Sequence, residues 1–335
     1  MEHITLFVLS LMRFKGVGEQ SVLKFIEQSQ DKSELILEFS GLMRTNLFAI
    51  KKNVDDESLN AYSWQKAINL SEKIIEDAKS KNICIINYLE ETYPKRMRSL
   101  KKFPILLYAK GNVELLNYSK SIAIIGTREP SVFGEMMGKK ISSLISNKNF
   151  SIVSGLAKGC DTIAHKAALE NSGKTVAILA HGLDIPVYPK ENRELAKQII
   201  KSGGLLLSTY SLGTKLRPQY LAARDEWQSG LSDGIIVIET GIKGGTNITV
   251  NYAINQKRPV GVIDHSQFKN GELNNLKQAQ GNLKYISEKK AFPLYELESI
   301  DNFIKILERK NILNNKDINV REKQENLTQI DIFDQ

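Results

Sequence analysis

Over the first eighty positions, apolar residues recur every three or four places. Ile4, Phe7, Val8 and Leu11 make one stripe, and Val22, Phe25 and Ile26 resume it beyond Lys15-Gly16-Val17-Gly18-Glu19. This period predicts short amphipathic helices. The Gly-Val-Gly interruption suits a helical hairpin, whose free N–H groups can meet a phosphate; a plain tight turn is the preferred reading. From residue 121 the period changes. Strands are predicted at Ser121–Ile125, Ser151–Ser154, Thr175–Ala180, Leu205–Ser208, Ile235–Glu239 and Pro259–Ile263. Helix-length segments at 133–147, 160–171, 191–202, 217–231 and 246–256 separate them. These strands lack polar alternation, so both faces are expected to be buried. Alternation of strand and helix predicts an α/β fold with a doubly wound parallel sheet, and right-handed crossovers lay helices on both faces.

Composition changes this picture little. A chain of 335 residues implies about two domains. With 41% apolar and 25% charged residues it has an ordinary globular balance. Apolar runs such as Leu6–Leu11 are far short of the ~20 residues a spanning helix needs. The start lacks a basic signal-peptide region, so a cytoplasmic chain without membrane contact is expected. The two cysteines, Cys84 and Cys160, form no C-x-x-C pair and are expected to be buried reduced thiols. With four histidines and no H-E-x-x-H, neither a metal nor another cofactor is expected. Lys plus Arg is 46 against 38 acidic residues, and the excess of +8 suits a polyanionic partner without requiring one.

The chemistry is sought where the strands end, because open parallel sheets bind ligands beyond their carboxyl edges. The first strand of the sheet region leads into Gly126-Thr127-Arg128, with Gly134 opening the next helix. The second leads into Ser154-Gly155-Leu156-Ala157-Lys158-Gly159, and the fifth into Lys243-Gly244-Gly245-Thr246. Each turn alone is ordinary turn chemistry. Three small or cationic turns on one edge predict an anion pocket, with backbone N–H groups and helix N-termini facing the charge. There is no G-x-x-x-x-G-K-[ST], and no G-x-G-x-x-G after the first strand, so a P-loop NTPase and a dinucleotide dehydrogenase are disfavoured.

These residues resemble the DprA/Smf DNA-processing proteins. The resemblance runs from about Cys84 to Asp264, and more loosely over the helical start. It rests on Tyr93-Pro94; Pro104-Ile105-Leu106-Leu107-Tyr108 with Gly111; and Gly126-Thr127-Arg128. It continues through Ser154, Gly155, Ala157, Gly159, Asp161, Ala164 and His165. Gly182-Leu183-Asp184, Tyr188-Pro189, Gly230-Leu231-Ser232 and Gly244-Gly245-Thr246 complete it. The resemblance implies an extended Rossmann-like domain over residues 83–300. It also implies a helical domain of SAM or helix-hairpin-helix type over 1–82. It further implies a homodimer without catalysis of its own, which binds single-stranded DNA and helps load a RecA-type recombinase. On this reading Arg128, Lys158, Arg224 and the Gly244–Thr246 turn lie on the DNA, tracking its backbone with little regard to sequence.

The pattern also departs from the family. Where the family has Phe-Pro-x-Arg-Asn-Arg, this chain reads Leu221-Ala222-Ala223-Arg224-Asp225-Glu226. Two carboxylates beside a phosphate site are expected to repel DNA. Ser208-Thr209 stands where the family has Ser-Glu, and no C-terminal winged-helix segment is visible. Two alternatives on the same fold are a nucleotide-sensing module and a nucleotide-hydrolysing enzyme, the latter with Glu239 as its carboxylate. Glu239 is otherwise read as a partner of Arg128 or of a ligand hydroxyl. His165 is read as a packing residue and Asp161 as a helix-start carboxylate. Lys95, Arg96, Arg98, Lys101 and Lys102 are read as a solvated face, or as an extension of the DNA path. Residues 310–335 are polar and predict a flexible tail. It ends in Gln329-Ile330-Asp331-Ile332-Phe333, which resembles a sliding-clamp-binding peptide.

Overall fold

The structure is a computed structural model that describes residues 2–28, 39–171 and 173–309. The helical start comprises α1 (Glu2–Leu11), α2 (Glu19–Gln28), α3 (Phe39–Met43), α4 (Phe48–Asp55) and α5 (Ala61–Ser80). Helix α5 begins at a reciprocal cap. The Asn60 side chain accepts from the Ser63 N–H, and the Ser63 hydroxyl accepts from the Asn60 N–H. The predicted stripe is the buried one: Ile4, Phe7, Val8, Leu11, Val22 and Ile26 are all inside. The Gly16–Gly18 turn joins α1 to α2, and Val17 within it is buried.

The sheet region runs β1 (Cys84–Asn87), α6 (Lys95–Arg98), β2 (Leu106–Gly111), β3 (Ser121–Ile125), α7 (Val132–Asn147) and β4 (Ser151–Ser154). It continues with α8 (Cys160–Asn171), β5 (Thr175–Leu179), α9 (Arg193–Lys201), β6 (Leu205–Ser208) and α10 (Pro218–Gly230). It closes with β7 (Ile235–Val237), α11 (Thr246–Asn255), β8 (Val260–Ile263), α12 (Gln280–Ser287) and β9 (Phe292–Leu294). Among the described residues the nine strands form one sheet in the order β1-β2-β6-β5-β4-β3-β7-β8-β9. From β6 to β9 every pairing is parallel. The expected parallel sheet is extended by two strands outside the predicted set: β1 and β2 form an antiparallel edge, with β2 running against β6.

The chain starts the parallel sheet at β3, winds outward through β4, β5 and β6, then returns to β3's other side with β7. This is a topological switch point, and it opens a crevice beyond the ends of β3 and β7. One face of the sheet shares a continuous apolar core with the N-terminal helices, joining Phe7 and Trp64 to Leu107 and Leu207. The other face is covered by α7, α8 and a helix over residues 297–309. Phe303, Ile304 and Leu307 of that last helix are core residues, so the packed region extends past the expected boundary at 300. Cys160 is buried as expected; Cys84 is exposed on the edge strand β1. The 310–335 tail, with the Gln329–Phe333 peptide, lies outside the described residues.

At the junction of the two parts, the Glu19 carboxylate accepts the Ile105 N–H at 3.3 Å. Burial pushes its pKa up to about 7. Its proton is therefore held more tightly folded than unfolded. The stability this gives is full below about pH 4.5 and is lost as pH rises through 7. Glu19→Gln keeps the acceptor and removes the charge. It is expected to stabilise the protein by about 1–3 kcal/mol at pH 8 and to change little at pH 4. Urea unfolding at the two pH values checks this; equal effects at both would refute it.

Candidate nucleic-acid interface

The crevice beyond β3 and β7 holds a cavity of about 400 Å³. Gly126, Thr127 and Arg128 form one wall, and Gly244, Gly245 and Thr246 face them from the start of α11. Arg224, Asp225 and Gln228 on α10 form a third wall. A second cavity of about 250 Å³ adjoins it through Arg128, Ala157, Leu221 and Arg224. Gly155, Lys158 and Tyr188 line that second space. Three chain-distant turns thus meet at one edge.

The turns are held from below. In the β4–α8 turn, Leu156 adopts φ 58°, a left-handed conformation uncommon for a residue with a side chain. Asn192 donates to the Leu156 carbonyl at 2.9 Å, and Asp161 accepts from the Gly155 and Ala157 N–H groups at 3.1 and 3.2 Å. A Cβ at Gly155 would overlap the Arg224 guanidinium, so glycine there is what lets arginine lie on the backbone. Gly159, at φ 73°, packs on the Thr127 and Arg128 backbone and fixes one turn against the other.

The β3–α7 turn is anchored by Ser131 and Glu239. Ser131 caps α7, accepting the Gly134 N–H at 3.0 Å. It donates its own N–H and hydroxyl to the Glu239 carboxylate at 2.8 and 2.6 Å. His265 Nε2 meets the same carboxylate at 3.0 Å. Burial alone would raise the Glu239 pKa, but bonds from His265 and Ser131 outweigh it and hold it below the ordinary value.

The cations differ in what already holds them. Arg128 is exposed and forms no ion pair or hydrogen bond among the described residues. Lys158 pairs with Glu191 at 2.7 Å. Arg224 is 5% exposed, lying 4.0 Å from Asp161 and 3.6 Å from Asp225. Its Nε and Nη1 atoms are buried without a hydrogen-bond partner. Burial raises the Asp225 pKa to about 6, with Arg224 opposing the shift.

The model of the family described as DNA recombination-mediator protein A matches residues 70–305. The chain belongs to this DprA/Smf family. It is 32% identical over 268 residues to DNA processing protein DprA of Streptococcus pneumoniae, covering 78% of this chain and 88% of the relative. The solved structure of that S. pneumoniae protein superposes with a TM-score of 0.67 at 28% identity, covering 88% of this chain and 96% of the other. DNA processing protein A from Helicobacter pylori was solved to describe its single-stranded DNA binding mode. It gives a TM-score of 0.57 at 27% identity, over 67% of this chain and 95% of that one.

On this DprA/Smf scaffold, seven of the thirteen residues read from the sequence line the larger cavity: Gly126, Thr127, Arg128, Arg224, Gly244, Gly245 and Thr246. Gly155 and Lys158 line the neighbouring one. Four do neither. Ser154 is buried and donates to the Ile124 carbonyl; Gly134 packs on the Glu239 carboxylate; Gly159 supports the Arg128 turn. Lys243 is exposed outside both cavities. Glu239 pairs with neither Arg128 nor a free site, since Ser131 and His265 occupy it. Glu226 does not face the cavity and its charge lies near Lys102; only Asp225 of the two new carboxylates lines the wall.

Asp161 stands in the first turn of α8, as read, and its carboxylate also secures the preceding turn. His165 is fully buried against Thr175, 2.7 Å away, and burial lowers its pKa to about 3, in keeping with a packing role. The Lys95–Lys102 cluster is not one face. Arg96 is partly buried on Asp233 and Arg98 donates to the Glu90 carbonyl, whereas Lys95, Lys101 and Lys102 are exposed.

Sequence reading missed Asn192, Ser131, His265 and Gln228. Gln228 had a signal: it stands four residues after Arg224, on the same helix face. Ser131 had one too, as a serine just before an apolar helix.

Proposed function

We propose that this chain binds single-stranded DNA as a DNA-processing protein and assists recombinase loading, without catalysis of its own. The observation that carries this is Arg128, an exposed cation that forms no ion pair or hydrogen bond among the described residues, on a glycine-backed turn opposite the α11 start. Backbone phosphates suit this edge, and the single-stranded DNA binding of the H. pylori relative supports the reading. A RecA-type recombinase as partner, a homodimer and a cytoplasmic setting belong to the same proposal. So does a sliding clamp held by Gln329, Ile330, Asp331, Ile332 and Phe333. Among the described residues no helix is long and apolar enough to cross a membrane. The hydrolase alternative loses its carboxylate, because Glu239 is committed to Ser131 and His265.

The test is binding of fluorescent oligo-dT by the full chain across a salt series. Affinity that falls steeply and linearly on logarithmic axes is expected. No binding at low salt would overturn the reading. Co-purification with recombinase and clamp checks the partners, the clamp contact ending on removal of residues 329–335.

A further inference from the structure

Arg128 stands on a loop whose two ends are held by one residue. The Glu239 carbonyl accepts the Thr127 N–H at 2.7 Å, and the Glu239 carboxylate accepts the Ser131 N–H and hydroxyl. Arg128 lies in the span between them. The first anchor is backbone and continues the pairing of β3 with β7. The second depends on where the carboxylate points. Glu239 is fully buried, and α7 leaves room for it, since a Cβ at Gly134 would overlap the carboxylate. Ser131 and His265 both bond to it there.

The hydrogen bonds of His265 fix its charge. Its ring is fully buried just beyond β8. Nδ1 lies 3.1 Å from the Ile263 carbonyl, and Nε2 lies 3.0 Å from Glu239 Oε1. A carbonyl only accepts, so Nδ1 carries a proton. The proton between Nε2 and Oε1 belongs to the stronger base, and an imidazole is more basic than a carboxylate by about two pKa units. The two donors of Ser131 also favour the charge on the carboxylate. With both protons counted, His265 is an imidazolium and Glu239 a carboxylate. Their surroundings are closed: Phe133 packs on His265 with ring centroids 5.3 Å apart, and burial keeps the Cys160 thiol beside Glu239 protonated. A neutral ring would lose one of its two bonds, and the carboxylate would lose its aim.

We propose that His265 is a positioning residue for single-stranded DNA binding: held as an imidazolium, it aims the Glu239 carboxylate at Ser131 and so sets the loop that presents Arg128. This rests on the single-stranded DNA reading above. His265 touches no DNA and acts through Glu239 and Ser131. The pair also explains how a polyanion-binding edge tolerates a carboxylate beneath it, because the charge of Glu239 is spent inside the protein.

The experiment measures oligo-dT binding at fixed salt by the full chain, His265→Gln, Arg128→Ala and the double variant. His265→Gln is expected to weaken binding at least about fivefold, though no further than Arg128→Ala does. In the Arg128→Ala background it is expected to add less than about twofold. Equal losses in both backgrounds overturn the proposal, because a general structural role would act with or without the Arg128 side chain. Unchanged binding by His265→Gln overturns it too. Should His265→Gln not fold, Ser131→Ala enters the same cycle with the same expected coupling. Nitrogen NMR of the histidine-labelled parent near neutral pH reads the charge: the ring in contact with Phe133 is expected to have both nitrogens protonated, and a neutral ring there overturns the proposal. If the parent itself does not bind oligo-dT, it is the single-stranded DNA reading that has failed, and the positioning role falls with it.

Discussion

Arg128→Ala is expected to weaken single-strand binding by about 1–3 kcal/mol, the range for losing a charge-assisted contact, and to lower the salt slope by about 0.7. The size follows from how the cations are committed. Lys158 already shares its charge with Glu191, and Arg224 sits between two carboxylates. Among the described residues lining the two cavities, Arg128 is exposed and reaches both of them. A strand passing from one cavity to the other therefore runs past it. Lys158→Ala is the natural comparison, and its effect is expected to be smaller, because part of what DNA would gain there is already given by Glu191. Fluorescence anisotropy over the salt series measures both. Undiminished affinity in Arg128→Ala would remove the phosphate assignment from this turn. The substitution should not disturb folding, since the side chain touches no partner that it would leave behind.

The parallel sheet was legible because it is buried on both faces. Strands such as Ser121–Ile125 and Leu205–Ser208 are uninterrupted short apolar runs, and the predicted and observed ends agree. The antiparallel edge was not. Cys84–Asn87 and Leu106–Gly111 sit among polar and proline-bearing segments, and nothing local signals that β2 joins β6 nearly a hundred residues later. The site was legible to the same extent. Turns that touch the cavity directly are small and cationic, and that is visible in one dimension. What holds those turns depends on pairs far apart in the chain. Glu239 meets Ser131 and His265 from three different elements, and Asn192 reaches back to Leu156. Charge was the least reliable guide. A run of basic residues looked like one surface, but the fold draws its arginines partly inside and leaves its lysines exposed, because a guanidinium can satisfy a buried carboxylate and several carbonyls at once.

Arg96 shows this most clearly, and Arg96→Ala is expected to destabilise the protein by about 3–5 kcal/mol with no change in the DNA salt slope. Its guanidinium forms a fork on Asp233, Nε to Oδ1 at 2.7 Å and Nη2 to Oδ2 at 2.9 Å. It also donates to the carbonyls of Tyr118 and Ser119 at 2.8 and 3.0 Å. Asp233 is buried and in turn accepts the Ser121 N–H at 3.0 Å, where β3 begins. Through this network the short helix α6 is fastened to the first parallel strand. Alanine would leave the Asp233 carboxylate inside without its bidentate partner, its charge opposed in part by Arg258, and breaking a buried ion pair from one side is what makes such a loss large. Lysine keeps the charge but cannot form the fork or reach both carbonyls, so Arg96→Lys is expected to recover only part of the stability. Urea unfolding ranks the three proteins, and oligo-dT binding under folding conditions supplies the second axis. If Arg96→Ala proved as stable as the parent and bound DNA with a reduced salt slope, Arg96 would belong to the nucleic-acid path. Four of the five guanidinium N–H groups are already bonded to Asp233, Tyr118 and Ser119, which leaves one on Nη1; a fork on a phosphate would need a second, freed by opening the ion pair with the buried Asp233, at a cost greater than one surface phosphate contact returns.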